Sequence, residues 1–156
     1  MAASPEARLK ELNITLPQAG RPMARYKMAV RAGNMLYVSG HGPVRITPST
    51  PVTGRCGTDL TVEQGKECAH AVGLNILATV RDQLGSLDRV KRLVKTLGMV
   101  NSTPEFTQHP AVINGFSDLM AEVFGEEAGV GARSAVGMGA LPNNIGVEIE
   151  AIFEVE

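Results

Sequence analysis

Arg133 and Glu148 are the residues of this chain whose types and spacing best suit chemistry. They lie in GARSAVGMGALPNNIGVEIEAIFEVE, the closing stretch of the sequence, among residues too small to block a cleft. A guanidinium offers a planar fork of donors that matches a carboxylate through two parallel hydrogen bonds, which a lysine does not reproduce. A carboxylate beside a bound electrophile can position a water or take its proton. Together they suit hydrolysis of a small anionic molecule. The plainer alternative is a cross-strand ion pair, worth about 0.2–1 kcal/mol.

Parity decides which elements must hold the pair. Val147, Ile149, Ala151, Phe153 and Val155 alternate with Glu148, Glu150, Ile152, Glu154 and Glu156, and successive strand side chains point to opposite faces. One face of this strand is core and the other acidic. In the strand before it, Val136 and Met138 fall on one side, with Arg133, Ala135, Gly137 and Gly139 on the other. If Leu141-Pro142-Asn143-Asn144 joins the two strands as antiparallel neighbours, Arg133 and Glu148 share a face and look into one small cleft.

The rest of the chain supplies a frame. Ser4-Pro5-Glu6 opens a short helix, with Ser4 as N-cap and Pro5 in first position, expected to be peripheral. Residues 16 to 24 read as a connector. Tyr26 to Ala32 alternate as a strand, and Ala32-Gly33-Asn34 turns into a second one from Met35 to Ser39. Ser39-Gly40-His41-Gly42-Pro43 closes this hairpin, and the following stretch to Gly57 holds too many prolines and glycines for regular structure. Thr61 and Gln64 form a capping box. Cys68, Ala69, Val72, Ile76, Leu77, Val80 and Leu84 then recur at helical spacing as far as Gly85. Val90 to Val100 is strand-like without a single parity. His109-Pro110 starts another helix with Ile113, Phe116, Leu119 or Met120, Val123 and Phe124 on its apolar stripe and Gly125 at its end. Two amphipathic helices can cover one face of a four- or five-stranded sheet. The uncovered face is expected to pack against another copy of the chain, leaving polar clefts between subunits. Residues 1–20 form the front extension and 21–156 a single domain.

Composition excludes several classes. With 156 residues, 15 basic and 16 acidic, the chain has no electrostatic footprint for nucleic acid. Four Phe, two Tyr and no Trp make a thin stacking platform. No run approaches the roughly 20 apolar residues of a membrane span. Cys56 and Cys68, without a secretory start, are expected to be reduced thiols in a cytosolic protein. Cys68 belongs on an apolar helix face as an inert thiol, whereas Cys56, in a glycine-flanked loop, is expected to be exposed and oxidisable. His41, His70 and His109 lack ligand spacing with either cysteine, so no metal site is expected.

The segments GNMLYVSG and ARSAVGMGALPNNIGVEIEAI resemble the YjgF/RidA family of reactive enamine/imine deaminases, also called the endoribonuclease L-PSP family, and the similarity in element order runs from about Tyr26 to Val155. The resemblance implies an α/β (α+β) fold, a chorismate-mutase-like mixed sheet with two helices packed on one face, assembled as a homotrimer with sites between subunits. It also implies hydrolysis of 2-aminoacrylate-like enamines or imines to 2-keto acids and ammonia, without metal or organic cofactor. Carried onto this sequence, the family's carboxylate-binding arginine matches Arg133 and its water-positioning glutamate Glu148. Tyr26, Gly40, Ala135 and Asn114 match its other substrate contacts. The sequence departs from the pattern at His41, where glutamine is usual, at Gly131, where proline is usual, and in a longer segment from Ser102 to Val112. A module that binds a small carboxylate-bearing metabolite without turnover is the main alternative, and a ribonuclease or translation inhibitor a weaker one.

Overall fold

One mixed five-stranded sheet carries the chain in the computed structural model, which describes residues 3–156. The elements run α1 (Pro5–Glu11), β1 (Ala29–Ala32), β2 (Met35–His41), α2 (Val62–Leu84), β3 (Val90–Asn101), α3 (His109–Gly129), β4 (Ala132–Met138) and β5 (Val147–Val155). Across the sheet the order is β1-β2-β5-β3-β4. β5 pairs antiparallel with both β2 and β3, and β4 pairs parallel with β3.

Local chemistry sets the helix limits. Thr61 Oγ1 accepts from the Gln64 amide (3.1 Å) and Gln64 Oε1 from the Thr61 amide (2.9 Å), satisfying two of the donors that a helix start leaves open. Gly85 ends α2 at φ +83°, a conformation that costs glycine no Cβ clash. In α3, Gly125 (φ 83°, ψ 164°) interrupts the helix where its stop was expected, but a further turn continues to Gly129.

The core lies between the helices and one face of the sheet. Ile149 and Phe153 of β5, Ile76 and Leu77 of α2, and Ile113, Phe116 and Leu119 of α3 are all fully buried. Two glycines let the layers close. A Cβ on Gly98 would fall 2.6 Å from Ile113 Cδ1, and one on Gly115 would overlap the Lys66 carbonyl oxygen of α2. The missing parity of Val90 to Val100 has a direct cause: the register of β3 against β5 shifts between Val90 and Arg92 and again between Leu93 and Lys95. Each such irregularity turns the following side chains to the other face.

Three expectations are corrected. β4 and β5 do not form a hairpin, because β3 lies between them. The end of β3 captures the connection instead: the Asn101 amide donates to Gly146 O (2.9 Å), and its side-chain Nδ2 to Asn144 Oδ1 (3.0 Å) and Ile145 O (3.1 Å). Asn143 and Asn144 take left-handed φ values of 53° and 56°, which asparagine tolerates, and carry the chain across the strand end. Second, α1 is not peripheral. Leu9 is buried in the main core, Glu6 Oε1 accepts from the Leu87 amide (3.0 Å), and Arg8 Nε donates to Glu122 O (3.1 Å). Third, Cys56 is fully buried, since its loop is sewn to β3 by Cys56 N–H to Asn101 O (2.8 Å) and Thr103 N–H to Cys56 O (3.0 Å). Burial pushes both thiols up, Cys68 to about 12, which leaves neither as a nucleophile. The first strand is also shorter than read: β1 begins at Ala29, and Tyr26 precedes it.

Because α2 and α3 approach backbone to backbone at Gly115, where the Lys66 carbonyl leaves no room for a Cβ, Gly115→Ala must separate them. It should lower unfolding stability by about 1–3 kcal/mol despite alanine's better helix propensity, read as a lower urea midpoint with an unchanged slope.

Candidate functional site

Arg133 sits in β4, the edge strand, and its pairing with Thr96, which itself pairs with Ala151, fixes its direction. Paired residues share a face, so Arg133 points to the helix side along with Ala135 and Gly137. There its Nη1 donates to Asn114 Oδ1 (2.8 Å) and Ser117 Oγ (3.1 Å) of α3. Both bonds use the same nitrogen. Among the described residues no carboxylate lies within ion-pair distance of Arg133, and Nε and Nη2 have no protein partner. The guanidinium is therefore braced on one side and presents its other edge, a two-donor fork, to solvent. Gly131 lets β4 approach β3 here, because a Cβ would fall 2.6 Å from Leu93 O.

Glu148 pairs with Met99 and points to the opposite, uncovered face. Its carboxylate lies over Gly40, where a Cβ would fall 2.7 Å from Oε1 and 3.0 Å from Cδ. Glycine at 40 is thus what gives the carboxylate its place. Burial, and after it the neighbouring Glu150 charge, raise the Glu148 carboxyl above the ordinary glutamate value, as expected for an acid half-withdrawn from water near a like charge.

The expected shared cleft is therefore absent within one chain. The structure joins Arg133 to Asn114 and Glu148 to Gly40, on opposite faces of the sheet. Ala135 stands two residues from Arg133 on the helix side and packs partly against the core. Tyr26 is half-exposed in a separate hollow beside Arg21, Thr79 and Asp82. Its segment is tied to the Gly40 strand by Ser39 Oγ to Lys27 O (2.5 Å) and Ser39 N–H to Met28 O (2.9 Å). His41 pairs with Ile149 and enters the core, 2% exposed, with Nδ1 on Ser39 O (2.6 Å) and Nε2 on Thr79 Oγ1 (2.8 Å). Burial lowers its pKa, so the ring is a neutral brace between β2 and α2. Ser117 was missed from sequence. Its signal was its place three residues after Asn114, one helical neighbour along.

The uncovered face is not a polar surface. Val30, Tyr37, Ile152 and Lys95 follow one another across four strands, and with Leu97 and Glu150 they line a hollow of about 390 Å³. Val30 and Tyr37 are about half-exposed.

Comparison with known proteins places this arrangement. The family described as YjgF/chorismate mutase-like, putative endoribonuclease, matches residues 6–150. The chain belongs to the YjgF/RidA family. It is 44% identical to Protein TCP17 of Trypanosoma cruzi over 149 residues, covering 96% of this chain and 92% of that protein. It is 30% identical to a 2-iminobutanoate/2-iminopropanoate deaminase of Dermatophagoides farinae, covering 92% and 95%. Among solved structures, the protein Atu1372 of Agrobacterium tumefaciens, of unknown function, superposes with a TM-score of 0.87 at 45% identity, covering 97% of this chain and 92% of that one. The mixed sheet with helices on one face is thus that of the YjgF/RidA family. Among the described residues no helix is long and apolar enough to cross a membrane.

The raised carboxyl of Glu148 gives a pH signature. A carboxyl with a folded-state pKa above its unfolded value adds stability that is fully present below the unfolded value and lost as pH rises through the folded one. Above that window the ionised group destabilises the fold. Glu148→Gln should therefore melt higher than the wild type at pH 7, and the difference should disappear below about pH 4, the unfolded glutamate range; thermal melts from pH 3.5 to 8 check both limbs.

Proposed function

We propose that this YjgF/RidA protein hydrolyses small 2-aminoacrylate-like enamines or imines to 2-keto acids and ammonia, at sites completed between copies of the chain. The observation that carries this reading is the guanidinium of Arg133, held by Asn114 and Ser117 through one nitrogen and open along its Nε–Nη2 edge. That edge fits a carboxylate with two bonds. A small substrate held there is oriented for attack.

The second half of the chemistry belongs to Glu148. Water adds to the imine carbon, forming a carbon–oxygen bond, as Glu148 takes the water's proton. Glu148 passes that proton to the nitrogen and then relays the hydroxyl proton to it as well, so that the carbon–nitrogen bond breaks and ammonia leaves as the carbonyl forms. A carboxylate with a raised pKa is a stronger base for the first step. Because Arg133 and Glu148 of one chain face opposite sides of its sheet, the arginine of one subunit meets the glutamate of the next. The apolar row of Val30, Tyr37 and Ile152 on the uncovered face supports such packing, and a closed ring of three copies makes three equivalent sites. Tyr26 and the backbone near Gly40 and Ala135 then line the cleft. The Dermatophagoides farinae relative named a 2-iminobutanoate/2-iminopropanoate deaminase supports the same reaction class.

With 2-aminoacrylate generated in situ and pyruvate release recorded, Arg133→Ala should lower kcat/KM roughly 10–100-fold, the worth of a charge-assisted hydrogen bond. Glu148→Gln should lower kcat by about 10²–10⁴-fold while small carboxylates still bind. Co-assembly of Arg133→Ala with Glu148→Gln chains should restore activity, to about a quarter of the wild-type rate with random mixing in a ring. A wild-type trimer without turnover overturns the enzyme reading and leaves the binder; mixed oligomers as inactive as their parents overturn the shared site.

A further inference from the structure

A further cavity lies at the far end of the β4–α3 groove, away from Arg133. It measures about 400 Å³ and is lined by Arg55, Ser102, Phe106, His109, Gly137 and Gly139. Three chain segments converge there. Arg55 arrives on the loop that is sewn to the end of β3, and its Nη2 donates to the Ser102 carbonyl (2.6 Å). Ser102, 5% exposed, places its Oγ 3.2 Å from His109 Nε2. His109 opens α3, whose start has no side-chain cap, and the Phe106 ring meets the imidazole edge-on at 5.3 Å.

Two features distinguish this cavity from a packing defect. Arg55 Nε is buried and has no hydrogen-bond partner, and among the described residues no carboxylate lies within ion-pair distance of Arg55. That N–H lies out of a ligand's reach, but Arg55 lines the cavity with a charge that no acid among the described residues balances, so an anion in the cavity is the group that would balance it. The floor is also cut to leave room. A Cβ on Gly137 would fall 2.5 Å from His109 Nε2 and 2.8 Å from Ser102 Oγ, whereas one on Gly139 would meet nothing within 4 Å. The first glycine lets the imidazole reach the strand and the second leaves the mouth open.

We infer that the Arg55–Ser102–His109 cavity is a second ligand site, specific for a small oxyanion, a carboxylate or a phosphate. The guanidinium and whichever of the Ser102 hydroxyl and the His109 Nε2 is not donating to the other offer donors to such a group, and the positive end of the α3 dipole adds to them. The loop, the strand end and the helix start are fixed by backbone hydrogen bonds, so the site is formed before the ligand arrives. Binding rather than hydrolysis is the role. Among the described residues no carboxylate is hydrogen-bonded to the His109 ring to orient it, and the ring's neighbour is the Phe106 edge. Four residues of extended strand separate Gly137 from Arg133, roughly 13 Å, too far for one small imino acid to span both. The site is therefore independent of the deaminase reading.

The test is an NMR titration of the full chain with inorganic phosphate and, separately, with succinate, following the His109 ring resonances. Saturable shifts with either probe are expected, retained in Arg133→Ala. Which probe saturates at lower concentration assigns the oxyanion. Arg55→Gln should weaken the response at least about tenfold. Since Arg55 also anchors Ser102, Gly139→Val serves as a second variant: its Cβ meets nothing within 4 Å, its bulk narrows the open mouth, and it should abolish the shifts with the fold intact. His109 resonances indifferent to both probes, or shifts that persist in Gly139→Val, overturn the inference.

Discussion

The placement of β5 between β2 and β3 governs everything else in this protein. A strand paired on both edges has its parity fixed twice, and β5 spends its odd positions, Val147 to Val155, on the core. Glu148 and Glu150 are then committed to the uncovered face. The same lattice of pairs runs through β3 to β4 and commits Arg133 to the helix side. The two residues with the clearest chemistry are thus separated by a hydrogen-bonded layer that no side-chain motion can cross. A protein with this register either uses them apart or brings a second copy to join them.

Glycine is the device that lets both the Arg133 and the Glu148 arrangements form. Gly131 admits β4 close to β3 and so sets Arg133 beneath Asn114 and Ser117. Gly40 yields its surface to the Glu148 carboxylate, and Gly115 allows α3 to lie against α2 so that Asn114, its neighbour in sequence, reaches the arginine. These positions carry no functional atoms, yet a methyl group at any of them displaces one that does. The precision of the site is a property of backbone approach as much as of side-chain identity.

Much of this was legible in the sequence, for physical reasons that differ by element. Caps announce themselves locally: Thr61 with Gln64, and Gly85, need only a few residues to act, and both ends of α2 stand where read. The alternation in β5 was equally plain. Strand order was not legible, since parity says which face a residue takes relative to its own strand and nothing of which strand lies alongside. Leu141-Pro142-Asn143-Asn144 has turn chemistry, but the bonds that route it come from Asn101, forty residues earlier. The two register shifts in β3 likewise arise from its partner. Cys56 reads as a loop thiol until the loop is seen stitched to a strand end, and His41, a departure from the family's glutamine, proves to be a buried brace whose partner Thr79 lies on a helix.

A last consequence concerns how the two faces divide the labour. The helix side holds the guanidinium exposed, with no acid in ion-pair distance among the described residues, so its charge is unpaired there. On the uncovered face Glu154 is ion-paired with Arg92 (3.1 Å), whereas among the described residues Glu148 and Glu150 have no cation within ion-pair distance; the cation among the residues lining its hollow is Lys95, whose Nζ is engaged by Ser134 Oγ (3.1 Å). Arg133 on one surface and Glu148 and Glu150 on the other are therefore unmatched charges, and burial, followed by the neighbouring Glu150 charge, raises the Glu148 carboxyl. Joining the edge strand of one copy to the open face of another would bring complementary groups together across an interface whose centre, Val30, Tyr37 and Ile152, is apolar. In such an assembly association and site formation would be one event, driven by the apolar row and given specificity by the charges at its margin.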